Sequence, residues 1–361
     1  MYQSGLYVED QPGRPPAGRE KRLQYVFIIN PIAGRRDASV WLEPAVRAAA
    51  ARQGAAVVIH RTACRGDARR LAARYAASGE RVNLYACGGD GTLNEVLQAA
   101  AGHRSLAVGC VPCGSGNDYL RNFGREEDFL DLDAQLQARP VILDALDTSF
   151  GFGAAICAAG LDAYVAYNAP RFRRIPGCGG PMAYTLAMGM AACTRFGHAL
   201  RVTVDGEPHE ERYMMAAICN GRYYGGGYCA APLAEMDDGW LDLVLVRPVS
   251  RLQLLGVLGA YKRGEHLGPD GRPAPAFDRW MRFCRAKSVR LDVLDGRPIA
   301  ATVDGESALV QTMEARVAPG RLTMLIPPSA SARRSAVAFH YNFQRAGRLA
   351  HQGGSTQVRE G

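Results

Sequence analysis

The sequence has no apolar run long enough to cross a bilayer. Its longest, residues 182–193, is of mixed composition and falls short of the roughly 20 residues that a spanning helix needs. A secretory signal is also missing. Residues 1–22 are polar and rich in Pro and Gly, so they read as a disordered leader. A cytoplasmic protein is expected, with any membrane contact peripheral and at the inner face. Cysteine pairs of zinc-site type are nearly lacking. Cys110 and Cys113 form a lone CxxC with no second pair and no nearby His, which argues against zinc. Most of the ten cysteines lie in apolar runs, as in Leu84-Tyr85-Ala86-Cys87, and read as small buried hydrophobes in a reducing compartment. There is no internal repeat, no GxxxxGK[ST] loop, and no GxGxxG opening a helix after the first strand. Nor is there a recognition motif or aromatic platform for nucleic acid, so no nucleic-acid partner is expected.

The charge that is present is unevenly placed. Lys and Arg number 43 against 35 Asp and Glu, and residues 329–361 hold five Arg and one Glu, half of the net +8. Such a basic tail suits an anionic surface, although short basic tails are often only solvated ends. Upstream, strand-like and helix-like runs alternate with short connections. Residues 25–29, 55–60, 82–87 and 106–112 read as strands, and 41–53, 67–77 and 92–101 as helices. That order predicts an open, mostly parallel α/β layer over residues 23–140, in which ligands sit beyond the carboxyl ends of the strands. After residue 140 short strand-like runs follow one another (141–148, 152–157, 199–205, 212–219, 241–247, 287–294, 299–304 and 321–326), with helices near 181–196 and 250–261. A mainly antiparallel, β-sandwich-like domain is expected over 141–328. A basic polar tail, 329–361, would follow it.

Three glycine-bearing loops end strands of the first layer. In Asn30-Pro31-Ile32-Ala33-Gly34-Arg35, Pro31 fixes the exit of the chain, Gly34 permits close approach, and Arg35 adds a cation. In Gly88-Gly89-Asp90-Gly91-Thr92-Leu93-Asn94-Glu95 the glycines free the backbone, and Thr92 and Glu95 are spaced as a capping box. A helix starting there aims its amides and dipole at whatever lies above the sheet. Asp90, held among glycines, is a carboxylate in a place where packing rarely wants one. The loop Gly114-Ser115-Gly116-Asn117-Asp118, with Arg121 one turn on, repeats the design. Two such loops at adjacent strand ends would form one anion-binding crevice.

These residues, together with Thr62, Gly66-Asp67-Ala68, Asn220-Gly221, Gly225-Gly226-Gly227, Ala231-Pro232, Asp238-Gly239, Leu241-Asp242 and Val303-Asp304-Gly305-Glu306, resemble the diacylglycerol kinase catalytic-domain family, which includes sphingosine and ceramide kinases and bacterial soluble lipid kinases. The resemblance spans about residues 25–326. It implies an ATP- and Mg²⁺-dependent lipid kinase that moves the γ-phosphoryl group to the hydroxyl of a diacylglycerol or sphingoid-type membrane lipid. Asn30 to Arg35, Thr62, Gly88 to Glu95, Gly114 to Asp118 and Arg121 would line the ATP site, with Asp90 near the phosphates and Mg²⁺. Asp118 and Asp144 would support it. Glu235, Asp238 and Trp240 would hold a structural Mg²⁺, the outer two through backbone carbonyls. Glu306, with Asp304 close by, would be the general base; the sequence leaves the choice between them open, and Asp304-Gly305 is also a strong turn signal. An enzyme with the same GGDG cradle but a soluble acceptor, of the NAD kinase kind, is the alternative. For lipid contact, Arg171-Phe172-Arg173-Arg174 and Arg279-Trp280-Met281-Arg282 interleave basic and aromatic residues. A homodimer is compatible with the sequence.

Overall fold

The structure is a computed structural model, and it describes residues 23–34, 36–114, 116–173, 186 and 197–330. Expectations for the leader, for Arg35 and Ser115, for Arg174, for a helix over 181–196 and for the tail beyond 330 lie outside the described residues.

The strands, in chain order, are β1 (Gln24–Ile29), β2 (Val57–Arg61), β3 (Val82–Gly88), β4 (Leu106–Pro112), β5 (Arg139–Thr148), β6 (Gly151–Gly153), β7 (Ile156–Gly160), β8 (His198–Val204), β9 (Glu207–Tyr213), β10 (Met215–Cys219), β11 (Tyr223–Tyr224), β12 (Tyr228–Cys229), β13 (Leu241–Val246), β14 (Met281–Ala286), β15 (Ser288–Val293), β16 (Ile299–Val303), β17 (Glu306–Val310) and β18 (Thr312–Ile326). The α-helices are α1 (Ala38–Gln53), α2 (Asp67–Ser78), α3 (Asp90–Ala100), α4 (Leu132–Leu136), α5 (Leu161–Arg173) and α6 (Arg251–Lys262).

In the first layer β2, β1, β3 and β4 pair in parallel, in that order. Successive side chains of a strand point to opposite faces, and β1 shows the consequence. Val26 and Ile28 pack with α2 and α3 residues such as Leu71 and Val96, while Phe27 and Ile29 pack with Leu42 and Val46 of α1. Both faces are covered, which is why β1 is apolar throughout instead of alternating.

The division expected at residue 140 falls inside β5. That strand pairs with β18 along almost its whole length, and β18 also touches β4, so the parallel layer continues into one 10-stranded sheet. A register shift between Ala318 and Leu322 interrupts the β5–β18 ladder, where Pro319-Gly320 inserts a bulge. A second, 6-stranded antiparallel sheet runs β14-β13-β10-β7-β16-β17. Its inner face packs on the first sheet through Cys157, Ile218, Leu243 and Val303, against Val202, Leu291 and Met313. Its outer face lies under α5, α6 and the stretch 263–280. This gives the sandwich-like second half that was expected.

The run expected at 212–219 is two strands in different sheets. Charged residues of β9 (Glu207, Glu210, Glu211, Arg212) form the edge of the first sheet, and β10 is central in the second. A charged edge blunts strand addition, and it also hides the strand from a hydrophobicity pattern. Among the described residues no helix is long and apolar enough to cross a membrane.

Candidate active site

The two glycine loops meet at backbone distance. A Cβ on Gly114 would lie 2.4 Å from the Cα of Gly89, and a Cβ on Gly89 would lie 3.0 Å from the carbonyl oxygen of Gly116. The amides of Cys113 and Gly114 both donate to the Gly88 carbonyl, at 2.9 and 3.2 Å. Gly34 joins from the first strand, at φ +80°, where a Cβ would stand 2.4 Å from the Cys113 carbonyl oxygen. Glycine is required at these three loops because no side chain fits between the backbones. The result is a continuous rim of backbone above β1, β3 and β4.

Asp90 opens α3 inside that rim. Its carboxylate accepts from the amides of Asp118 (3.0 Å) and Tyr119 (3.3 Å), and its own amide donates to the Gly116 carbonyl. Burial pushes its carboxyl up to about 6; the two amides oppose the rise, and the charges of Asp118 and Asp304 add to it. Asp118 accepts from Arg121 (3.2 Å) and from the amide of Gly226 (2.6 Å), which ties the cradle to the 225–227 glycines of the second half. Asn30 donates to the hydroxyl of Thr92 at 3.1 Å, and Asn117 donates to the Gly114 carbonyl and to Glu126.

Not every residue expected in the cradle serves it. Thr92 and Glu95 do not form a capping box. Gly89 is the N-cap of α3, and the Glu95 carboxylate instead accepts from the amides of Gly66, Ala68 and Arg69 at the start of α2. An anion at a helix N-terminus is favourable wherever it comes from, so the same Glu caps a neighbouring helix. Leu93 is core, 2% exposed, and Ile32 is out in solvent at 89%. Asn94 accepts from Gln98 one turn along α3, and Pro31, Ala33 and Gly91 complete the loops without a side-chain polar contact. Thr62 closes the ladder by donating its amide to Ile29. Asp144 spends both oxygens on the amides of Gly239 (2.7 Å) and Gly320 (2.9 Å), so it pins the bulge of β18 and takes no part in an acidic network at the cradle.

The two candidate bases differ sharply. Asp304 sits at φ +46° and its carboxylate accepts from the amides of Ala154, Ala155 and Ile156, the last two at 3.1 and 2.9 Å. Burial raises its pKa against the pull of those three amides. Glu306 is exposed and its carboxylate pairs with Arg65, on the loop between β2 and α2. Only Glu306 has a carboxylate open to a ligand.

Of the residues expected to hold a structural Mg²⁺, Asp238 has its carboxylate engaged by a cation. The Asp238 carboxylate pairs with Arg285 and accepts from the Trp240 amide, Arg285 also reaches Asp242 at 3.2 Å, and the Trp240 ring faces Arg285 and Lys287. A metal ion at Asp238 would meet a guanidinium already in its place. Glu235 is half-buried nearby. Among the described residues no group of three or more His, Cys, Asp or Glu could hold a metal ion.

Sequence reasoning missed a pocket. Beneath α6, on the outer face of the second sheet, Leu161, Met215, Val246, Leu254, Val257, Leu258, Tyr261, Phe277 and Trp280 line an apolar pocket that is partly open to solvent. It contains one carboxylate, Asp162, which accepts from the Tyr224 hydroxyl at 3.0 Å and from the Ala163 amide at 2.8 Å. Burial pushes Asp162 up to about 6. A lone acid in the apolar stretch Ala158-Ala159-Gly160-Leu161-Asp162-Ala163 was the available signal. Tyr224 stands two residues before Gly226, so a single loop touches the cradle at Asp118 and the pocket at Asp162.

Comparison with known proteins agrees with this geometry. The diacylglycerol kinase catalytic domain matches residues 24–145, and the YegS C-terminal NAD kinase beta sandwich-like domain matches residues 155–326. The diacylglycerol kinase of Mycobacterium tuberculosis is 28% identical over 236 residues, which cover 62% of this chain and 70% of that protein. A Chromohalobacter salexigens protein named "Probable lipid kinase YegS-like" is 28% identical over 226 residues, covering 61% and 67%. The crystal structure of a diacylglycerol kinase from Bacillus anthracis shares the fold, with a TM-score of 0.60 at 19% identity, over 85% of this chain and 97% of that one. The chain is therefore a kinase, with ATP implied as its phosphoryl donor; residues 24–145 match the diacylglycerol kinase catalytic domain, and its relatives are lipid kinases of the diacylglycerol kinase and YegS-like kinds.

Proposed function

We propose that this protein transfers the γ-phosphoryl group of ATP to the hydroxyl of a membrane lipid of the diacylglycerol or sphingoid type. The observation that carries the lipid acceptor is the apolar pocket beneath α6, joined to the cradle by the 222–227 loop. A soluble dinucleotide would gain little from walls of Leu, Val, Met and aromatic side chains, whereas a long hydrocarbon gains about 0.8 kcal/mol for each CH₂ it buries. The sandwich of the second half does not separate the two acceptors, since the matching domain is itself described as NAD kinase-like. The lining of the pocket favours the lipid.

Phosphoryl transfer asks a protein mainly to position two groups and to offset charge. The triphosphate would lie on the backbone rim of residues 88–92, 114 and 116–118, at the N-terminus of α3. Asp90 would hold Mg²⁺ with the phosphates. Its carboxyl is raised by burial and by two negative neighbours, and a divalent cation relieves that stress. Bound there, Mg²⁺ would screen charge on the phosphate oxygens. Glu306 would accept the proton of the lipid hydroxyl, because Asp304 is committed to three amides. Arg65, which pairs with Glu306, lies on the nucleotide side and would be the natural partner of an incoming phosphate.

The test is incubation with radiolabelled ATP and Mg²⁺ against a panel of diacylglycerol, sphingosine, ceramide, polyprenol and NAD. Label in an organic-extractable product is the expected result. Label in NADP with none in lipid would remove the lipid acceptor and keep the kinase.

A further inference from the structure

α6 is apolar on both sides. Its inner face sends Leu254, Val257, Leu258 and Tyr261 into the pocket. On the opposite side Leu252 and Leu255 are 82% and 64% exposed, beside the exposed Gly256 and Gly259. Leu252 and Leu255 are three residues apart, so they form one ridge, and the two glycines extend it without charge or bulk. The helix is firmly started: Ser250 and Gln253 make a reciprocal capping box, so these leucines are presented on a fixed element.

The charges around this face are of one sign on the helix itself. Arg251 begins α6 and Lys262 ends it, with no acid between them. Arg279 and Arg282, exposed, follow in the next segment, and Trp280 between them lines the pocket. The nearby acids are Asp278, Glu265 and Glu211; Glu265 is already paired with Arg263 at 2.7 Å, and Glu211 pairs with Arg247 at 2.5 Å and with Arg282 at 3.8 Å, which leaves Arg279 and the helix-end cations to meet an anionic surface. Exposed leucines flanked by cations, with an amphipathic aromatic at the edge, match the chemistry of an anionic bilayer surface, where apolar side chains enter the acyl boundary and cations meet headgroup phosphates.

We infer that α6 is an interfacial helix, seating Leu252 and Leu255 in an anionic bilayer directly over the pocket beneath it. The role of that pocket rests on the lipid-acceptor reading above; the docking of the helix does not. In this geometry only the width of α6 separates the membrane from the pocket, so an acceptor would pass from bilayer to pocket along the edge of α6 without crossing water.

The experiment uses the full chain, its Leu252→Asp/Leu255→Asp double variant, and phosphatidylcholine vesicles with and without phosphatidylglycerol. Wild-type protein is expected to sediment with the anionic vesicles, and less so as salt rises. The double variant should lose more than about tenfold in vesicle affinity and in turnover of long-chain diacylglycerol held in vesicles. Its turnover of a water-dispersed short-chain diacylglycerol and its melting temperature should stay unchanged, since neither leucine lines the pocket. Equal sedimentation of variant and wild type would overturn the inference. So would a wild-type dimer that the double variant splits into monomers, because the ridge would then be a surface for a second copy. Leucine-dependent vesicle binding by a protein that phosphorylates no lipid would uphold α6 and remove the lipid-acceptor reading instead.

Discussion

The cradle holds its shape through backbone contacts between loops that lie close to strand ends, whereas the pocket is lined by side chains drawn from residues 161 to 281. One is specified by where glycine must be. The other is specified by what fills and bounds a volume. The two regions therefore respond to opposite kinds of substitution. In the cradle adding one carbon should be damaging, and in the pocket added carbons would take the space proposed for the acceptor. In the proposed function, Asp90 and Glu306 are the side chains on which the chemistry would concentrate.

The largest effect is expected from Asp90→Ala. Removing the carboxylate that would hold Mg²⁺ against the phosphates should lower kcat by about 10³ or more, measured by label transfer to diacylglycerol, with circular dichroism unchanged. Turnover within a few fold of wild type would move the chemistry away from the cradle. Next is Glu306→Gln, for which kcat should fall by about 10² to 10⁴ with little change in ATP affinity or melting temperature. Asp304→Asn separates the two roles. It weakens acceptors for three amides and should cost about 1–3 kcal/mol of stability in urea unfolding. An Asp304 variant that folds as well as wild type but cannot turn over would reassign the base.

Gly114→Ala sharpens the contrast between regions. Its Cβ would overlap Gly89, so the loops must part, and ATP affinity by calorimetry should weaken by about tenfold to a hundredfold, with about 1–3 kcal/mol of lost stability. The corresponding change in the pocket, Leu258→Trp, adds volume where a ligand would lie. It should lower kcat/KM for a long-chain acceptor by about tenfold while ATP affinity holds. Loss of ATP binding in the Leu258 variant would mean that the two regions are not separate.

How much of this was legible follows from the same contrast. The first four strands, their helices and the meeting of the Gly89 and Gly116 loops could be read because local rules act there: apolar runs of strand length, and glycine where backbones touch. The second half was read as sandwich-like, yet β9 was fused to β10, and β14 and β17 were overlooked. Charged edge strands carry no apolar alternation, and Met214 gives no turn signal where the chain changes sheets. Glu95 was placed at the wrong helix because a capping spacing describes one helix and says nothing of a neighbour 27 residues upstream at Ala68. Beyond the lone acid Asp162, the pocket left no mark on the sequence, since Tyr224, Tyr261 and Phe277 come together only after the sheets have formed.

The smallest expected effect compares two carboxyls of similar acidity, one in each region. Burial raises both Asp90 and Asp162 to about 6, but the amides of Asp118 and Tyr119 hold the first, while the Tyr224 hydroxyl and the Ala163 amide hold the second. In an unfolded chain an Asp titrates near 3.9. Between about pH 4 and pH 6 the folded protein therefore binds more protons than the unfolded one, and stability falls as pH rises through that window. Each carboxyl would contribute a decline of about 2–3 kcal/mol, the unit shift being about 1.4 kcal/mol. Asp242, pushed up to about 8, and Asp304 are raised by burial as well and add to the same fall; Asp162→Asn should remove only its own share of about 2–3 kcal/mol, read as the difference from wild type in urea unfolding at pH 4, 5, 6 and 7. Mg²⁺ with a non-hydrolysable ATP analogue should remove the Asp90 share, because a cation at Asp90 favours its charged form and leaves the pocket untouched. If Mg²⁺ and nucleotide flattened the slope in the Asp162→Asn variant no more than in buffer alone, Asp90 would not be where the metal and the phosphates sit.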